Sequence, residues 1–147
     1  PRTLNWVCLS PSCGHLVFWK MLFHRYENLK LVDLPGYGYA KSGHSRKKDW
    51  GPLLSQYFNM RQSFKAVLLF MDIRHPLKET DIDLINLCMK SEVDCIPVLT
   101  KSDKLSKNKV AQAVAKVSKD LGGIDTYAVS SKDIVGFIKL SKLLLSY

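Results

Sequence analysis

The sequence contains no uninterrupted run of about 18 apolar residues, which excludes an ordinary membrane-spanning helix. Leu16 to Phe23 comes nearest, and Lys20 interrupts it. The first residues do not follow the basic, apolar, small-residue order of a signal peptide, so a cytoplasmic location is expected. Cysteine is scarce. Cys8, Cys13, Cys88 and Cys95 form no CxxC pair, and adding His15 and His24 completes no common zinc spacing. That argues against a disulfide framework and for a reduced compartment. No G-x-G-x-x-G run follows an early strand, which removes the usual fingerprint of a dinucleotide-binding enzyme. The pattern G-x-x-x-x-G-K-[ST] is missing too, and no Gly-Lys dipeptide occurs anywhere. The sequence therefore lacks the backbone cradle and lysine that ordinarily hold the α- and β-phosphates of a nucleotide. Acidic residues are also few: 13 Asp and Glu stand against 22 Lys and Arg, a formal charge of +9. Such an excess favours polyanionic partners, with RNA or a ribonucleoprotein ahead of lipid.

What remains suffices for one domain with a real core, since 46% of the 147 residues are hydrophobic. Leu4 to Leu9 is a candidate strand, and Ser10 to Gly14 a turn into a second apolar segment. Leu29 to Leu34 is a short apolar strand that runs into an acid and a Pro-Gly turn. Trp50, Leu53, Leu54, Tyr57 and Phe58 recur at helical spacing. The run Ala66 to Met71 suits a strand buried on both faces. Ile82, Ile85 and Met89 would share one face of the next helix, widened by Leu87 and Cys88. Cys95 to Leu99 is another buried strand, with Pro97 costing a hydrogen bond. A helix through Val110, Ala113, Val114, Val117 and Leu121 follows, with Ser106 as its N-cap and Gly122-Gly123 as its end. Ile124 to Val129 is a last strand and Ile134 to Leu145 a last helix. Alternating strands and helices with short connections predict a mostly parallel sheet covered on both sides.

Ligands of such sheets bind beyond the carboxyl ends of the strands. Asp33, Asp72, Thr100 and Ser130 all fall there. In Asp33-Leu34-Pro35-Gly36 the acid is suited to holding a magnesium-bound water, and the glycine lets a backbone N–H approach a terminal phosphate. In Thr100-Lys101-Ser102-Asp103 the final carboxylate suits the paired donors on the guanine edge, and the lysine stem can lie along a base. Val129, Ser130, Ser131 and Lys132 follow the last strand, where Ser130 can support the loop that carries Asp103. A strand with a tight turn, a surface Lys-x-Asp and a Ser-Ser-Lys turn each say little alone. Their order at successive strand ends says more.

Together these segments resemble the EngB (YihA) family of bacterial GTP-binding proteins, within the translation-factor-related GTPases. The resemblance rests on Leu31 to Lys41 (LVDLPGYGYAK), Met71 to Lys78 (MDIRHPLK), Thr100 to Leu105 (TKSDKL) and Ser130 to Lys132. It covers residues 29–147 and leaves 1–28 outside. It implies a single P-loop NTPase-like domain, an α/β three-layer sandwich, here without its usual N-terminal strand and phosphate-binding loop. It also implies GTP and GDP as ligands with Mg2+, and a slow GTPase acting in large ribosomal subunit assembly, linked to cell division and septation. The partners expected are the large subunit or its RNA, for a protein taken to be monomeric. By correspondence Asp33 to Gly36 lie beside the terminal phosphate and magnesium, Thr100 to Asp103 recognise guanine, and Val129 to Lys132 complete the base pocket. Thr3, in Pro1-Arg2-Thr3, corresponds to the threonine that ligates magnesium in the first switch, although the usual glycine between proline and arginine is absent.

Tyr37 occupies the position where Ras-like enzymes place a water-orienting glutamine, so no catalytic residue is assigned and slow turnover is expected. The missing phosphate loop has two readings. A truncated version of an ordinary protein is one. The other is a nucleotide-free RNA-binding or scaffold module with a degenerate GTPase core.

Overall fold

The computed structural model describes residues 4–9, 22–26, 29–33, 50–60 and 64–146. Six strands form one sheet: β1 (Leu4–Leu9), β2 (Leu22–Tyr26), β3 (Leu29–Asp33), β4 (Phe64–Asp72), β5 (Asp94–Thr100) and β6 (Tyr127–Ala128). Their order across the sheet is β2-β3-β1-β4-β5-β6. Every neighbouring pair is parallel except β2 with β3. Four helices are described: α1 (Trp50–Met60), α2 (Glu79–Lys90), α3 (Lys107–Asp120) and α4 (Ile134–Ser146).

β4 is the axis of the core because its side chains alternate between two apolar layers. Val67, Leu69 and Met71 join Leu54 and Phe58 of α1, Leu84, Ile85 and Cys88 of α2, Leu99 of β5 and Val117 of α3. Ala66 and Leu68 face the other way, with Ile96, Val98, Val129 and Leu140 of α4. The result is the expected three-layer sandwich with a mostly parallel sheet. Among the described helices, α1, α2 and α3 supply the first layer and α4 the second.

Several expectations need adjustment. The place of an N-terminal strand, expected to be empty, is held by Leu4–Leu9 between β3 and β4. A six-residue stretch reaches across both neighbours there, pairing Cys8 with Asp33 on one side and with Leu68 on the other. The last strand is two residues long rather than six, with only Val98–Tyr127 and Leu99–Ala128 in register. On α2 the inward stripe is Asp81, Leu84, Ile85 and Cys88, so Ile82 and Met89 face outward and Met89 is 69% exposed. Ile85 and Cys88 are buried as expected and Leu87 packs beside them, while the stripe is centred toward Asp81 and Leu84; Asp81, though charged, turns inward to accept the backbone N–H of Lys78 at 2.9 Å. That bond caps the first turn of α2.

Pro97 is accommodated by geometry. Leu99 accepts the N–H of Val129 at 2.8 Å, so its backbone faces the β6 side, and Pro97 two residues earlier faces the same way. Pairing with β6 begins only at Val98, so the missing N–H costs no ladder bond there. Ser106 is the N-cap residue of α3, in extended backbone, but its hydroxyl makes no capping bond. Cys88 and Cys95 are free thiols on α2 and β5, with Cys88 fully buried.

Candidate guanine-base site

The carboxyl ends of β4, β5 and β6 assemble a polar cluster. β5 delivers Thr100 in register with Asp72 of β4. Thr100 spends its groups on the scaffold: its hydroxyl donates to the Met71 carbonyl at 3.0 Å, and its own carbonyl accepts from Ile73 at 3.1 Å. The chain then turns sharply. Lys101 has φ 59° and ψ 37°, a left-handed conformation uncommon for a residue with a long side chain. Ser102–Lys104 form one 3-10 turn that lifts Asp103 above the strand end.

The loop after β6 is locked to this turn by two hydrogen bonds. Ser102 donates its N–H to the Val129 carbonyl at 3.2 Å. The Ser130 hydroxyl, on a residue only 2% exposed, donates to Asp103 Oδ1 at 2.7 Å. The same hydroxyl accepts the N–H of Lys132 at 3.1 Å, so both its donor and acceptor functions are used. Asp103 Oδ2 lies 3.5 Å from Lys132 Nζ and 3.7 Å from Lys104 Nζ. The Ser130 hydrogen bond, aided by the Lys104 and Lys132 charges and opposed by desolvation, holds this carboxyl below the usual carboxylate range. Asp103 is therefore an ionised acceptor with lone pairs to spare, at the mouth of a loop pair joined by one backbone and one side-chain hydrogen bond.

Of the residues expected at the site, Thr100, Lys101, Ser102, Asp103, Val129, Ser130 and Lys132 converge, and Ser131 is exposed beside them. Asp33 closes β3 on the same carboxyl edge, across from Cys8. Leu34, Pro35, Gly36 and Thr3 lie outside the described residues. Among those described, no group of three His, Cys, Asp or Glu side chains is placed to hold a metal. No described helix is long and apolar enough to cross a membrane.

Strand-end placement had marked Asp72 without giving it a role, and the sequence reading left out its partner Arg74; both border the site. Arg74 grips the Asp72 carboxylate with Nε on Oδ1 at 3.0 Å and Nη2 on Oδ2 at 2.7 Å, and adds its backbone N–H to Oδ1 at 3.0 Å. Lys101 Nζ donates to Asp72 Oδ2 at 3.1 Å. The available signal was the Asp-x-Arg spacing directly after a buried strand.

No protein-family model matches the chain. It is 40% identical over 122 residues to a "Probable GTP-binding protein EngB" of Pseudoalteromonas translucida, covering 80% of the chain and 55% of that relative. A protein of the same description from Colwellia psychrerythraea is 42% identical over 104 residues, covering 71% of the chain and 46% of the relative. The chain thus spans about half the length of these curated relatives. In backbone it is similar to a crystal structure of a probable GTP-binding protein engB, with a TM-score of 0.73, 12% identity and 97% of each chain covered. It is also similar to translation elongation factor SelB from Methanococcus maripaludis in complex with the GTP analogue GppNHp. There the TM-score is 0.69 and the identity 13%, over 99% of this chain and 33% of that one. At such identities these two likenesses speak to the fold, while the curated relatives carry the lineage. The chain belongs to the EngB (YihA) family of GTP-binding proteins, in the translation-factor-related class of GTPases.

Proposed function

We propose that the chain recognises guanine through Asp103, backed by Ser130, and that the protein it represents is a GTP-binding factor in large ribosomal subunit assembly, linked to cell division. The observation that carries the base reading is the 2.7 Å bond from Ser130 to Asp103. It aims one carboxylate outward from two interlocked loops at the ligand-binding edge of a parallel sheet. Guanine presents N1–H and N2–H2 as adjacent donors, which an ionised carboxylate accepts together. Adenine offers no such pair and would leave a desolvated charge unmet. The Lys101 stem supplies an apolar surface for the ring.

Asp33 is the described residue best suited to magnesium, through a bound water, since a single carboxylate stands at the end of β3. Bound magnesium would neutralise phosphate charge there. The +9 charge supports contact with ribosomal RNA through its phosphates, and a cytoplasmic setting fits that partner. The names of the curated relatives support GTP as the nucleotide. The deciding experiment is competition for the site by GDP, ADP and XDP, monitored through the backbone amides of Ser102 and Lys132. GDP is expected to shift both at lower concentration than ADP. Equal responses to GDP and ADP would remove the base assignment.

A further inference from the structure

Asp72 makes five close polar contacts at the border of the base site, and four of them tie down its own carboxylate or neighbouring turn. The Arg74 fork and the Arg74 backbone N–H hold both carboxylate oxygens, and the Asp72 carbonyl accepts the N–H of His75 at 2.9 Å. A carboxylate so constrained cannot rotate to follow a mobile partner. The fifth contact is Lys101 Nζ on Oδ2 at 3.1 Å. Lys101 starts from a left-handed backbone, and its side chain is about half exposed, 49%. Without a tether, four methylenes would sample many rotamers in solvent. With Nζ held on β4 and Cα held at the end of β5, the stem between them spans the two strand ends as an apolar bridge.

We propose that Asp72 is a positioning residue of the guanine site: it holds the Lys101 ammonium so that the lysine stem is already laid down as a wall for the base. This deepens the guanine reading above and rests on it. Asp72 touches no base in this arrangement and acts through Lys101, while Asp103 reads the base edge. Two signatures separate those roles. Loss of the tether weakens every purine that stacks on the stem by the same factor, whereas loss of the edge reader changes preference among bases.

The test uses the full chain as wild type, D72N, K101M and the double variant, titrated by NMR with GDP and with IDP, whose base lacks the 2-amino group. D72N is expected to weaken both ligands equally, by about 2- to 12-fold, the cost of ordering one long side chain on binding. K101M should do the same, and the double variant should be no weaker than K101M alone. Additive losses, or a changed ratio of GDP to IDP affinity in D72N, would overturn the proposal. Side-chain relaxation of Lys101 Cε in the free protein gives an independent reading, with an ordered stem in wild type and a mobile one in D72N. A stem equally mobile in both refutes the tether alone. An ordered wild-type stem with no response to GDP refutes the guanine reading alone. If D72N does not fold, Asp72→Glu keeps the charge one methylene further out. It should then lie between wild type and K101M in affinity, and a loss equal to that of K101M with full Lys101 order would count against the tether.

Discussion

Gly136 packs α4 directly against the backbone of Ala128 and Val129, where β6 leads into the base loop, and replacing it tests whether packing holds that loop in place. A Cβ built there would stand 2.3 Å from the Ala128 carbonyl oxygen, 3.0 Å from Val129 Cα and 3.2 Å from the Ala128 carbonyl carbon. All three are backbone atoms, so no side chain can swing aside, and the helix must move outward by about 1 Å to restore ordinary contact. Such overpacking costs about 1–3 kcal/mol. Alanine returns up to about 1 kcal/mol as the better helix former. The 2.3 Å approach to a backbone atom places the cost at the upper end of that range, so the expected net loss for Gly136→Ala is about 2 kcal/mol. In a chain of this size that lowers the Tm by about 4–8 °C. Leu140, one turn further along α4 and almost fully buried, loses part of its contact with Leu68 and Val98 in the second core layer. Because the push falls on Ala128 and Val129, Ser130 is displaced from Asp103 as well, and GDP should shift the Ser102 amide less at equal concentration. Thermal unfolding followed by circular dichroism measures the first effect and NMR titration the second. An unchanged or raised Tm would mean that helix propensity dominates and would refute the close approach of α4 to β6.

Asp103→Asn should replace an acceptor by an amide and shift preference from GDP toward XDP, and unchanged relative affinities in calorimetry would refute the edge contact. Asp72 is held well below the usual carboxylate range, chiefly by the Arg74 side chain, against the opposing effect of burial. A depressed folded pKa stabilises fully above the unfolded value of about 3.9 and is lost as pH falls below it. D72N should therefore lower the stability measured by urea unfolding at pH 6 by about 1 kcal/mol or less, with the gap from wild type beginning to close only as the pH falls below about 4. The 147-residue chain should bind GTP far more weakly than it would with a glycine-rich phosphate loop, because several charge-assisted bonds of about 1.5–3 kcal/mol each have no donor in its sequence. Micromolar affinity for a labelled GTP analogue would contradict this. Binding to ribosomal RNA should weaken steeply between low salt and about 0.15 M, and a flat response would dismiss the charge argument.

The two central strands were legible because Ala66 to Met71 and Cys95 to Leu99 are continuous apolar runs, the pattern of strands buried on both faces. α3 was equally legible: Val117 is buried, and Val110, Ala113, Val114 and Leu121 pack around it at the expected spacing. The α2 stripe was legible at Ile85, Leu87 and Cys88 but misplaced at Ile82 and Met89, and its inward Asp81, a capping carboxylate, looks like a surface residue in any hydrophobicity pattern. β6 was overestimated because Ile124 and Asp125 read as strand, whereas in register only two residues reach β5. At the site, strand-end placement picked out Asp33, Asp72, Thr100 and Ser130 before any geometry, and the Thr100-Lys101-Ser102-Asp103 motif added Asp103. It could not assign their partners. That Thr100 serves the scaffold and that Lys101 leans on Asp72 depend on the β4–β5 register, a long-range property that no local motif encodes.

The shortness of β6 has a consequence for how molecules of this protein meet one another. An edge strand is a template on which a foreign strand can add, and long flat edges nucleate aggregation. Here the edge offers only Tyr127 and Ala128. Below them the flank of β5 would be the next place for an intruder to pair, and there Pro97 presents no N–H. Asp94 at the start of β5 and Asp125 just before β6 add negative charge at the same end. A proline that looked like a flaw in a buried strand thus helps to keep that side of the sheet closed to strand addition.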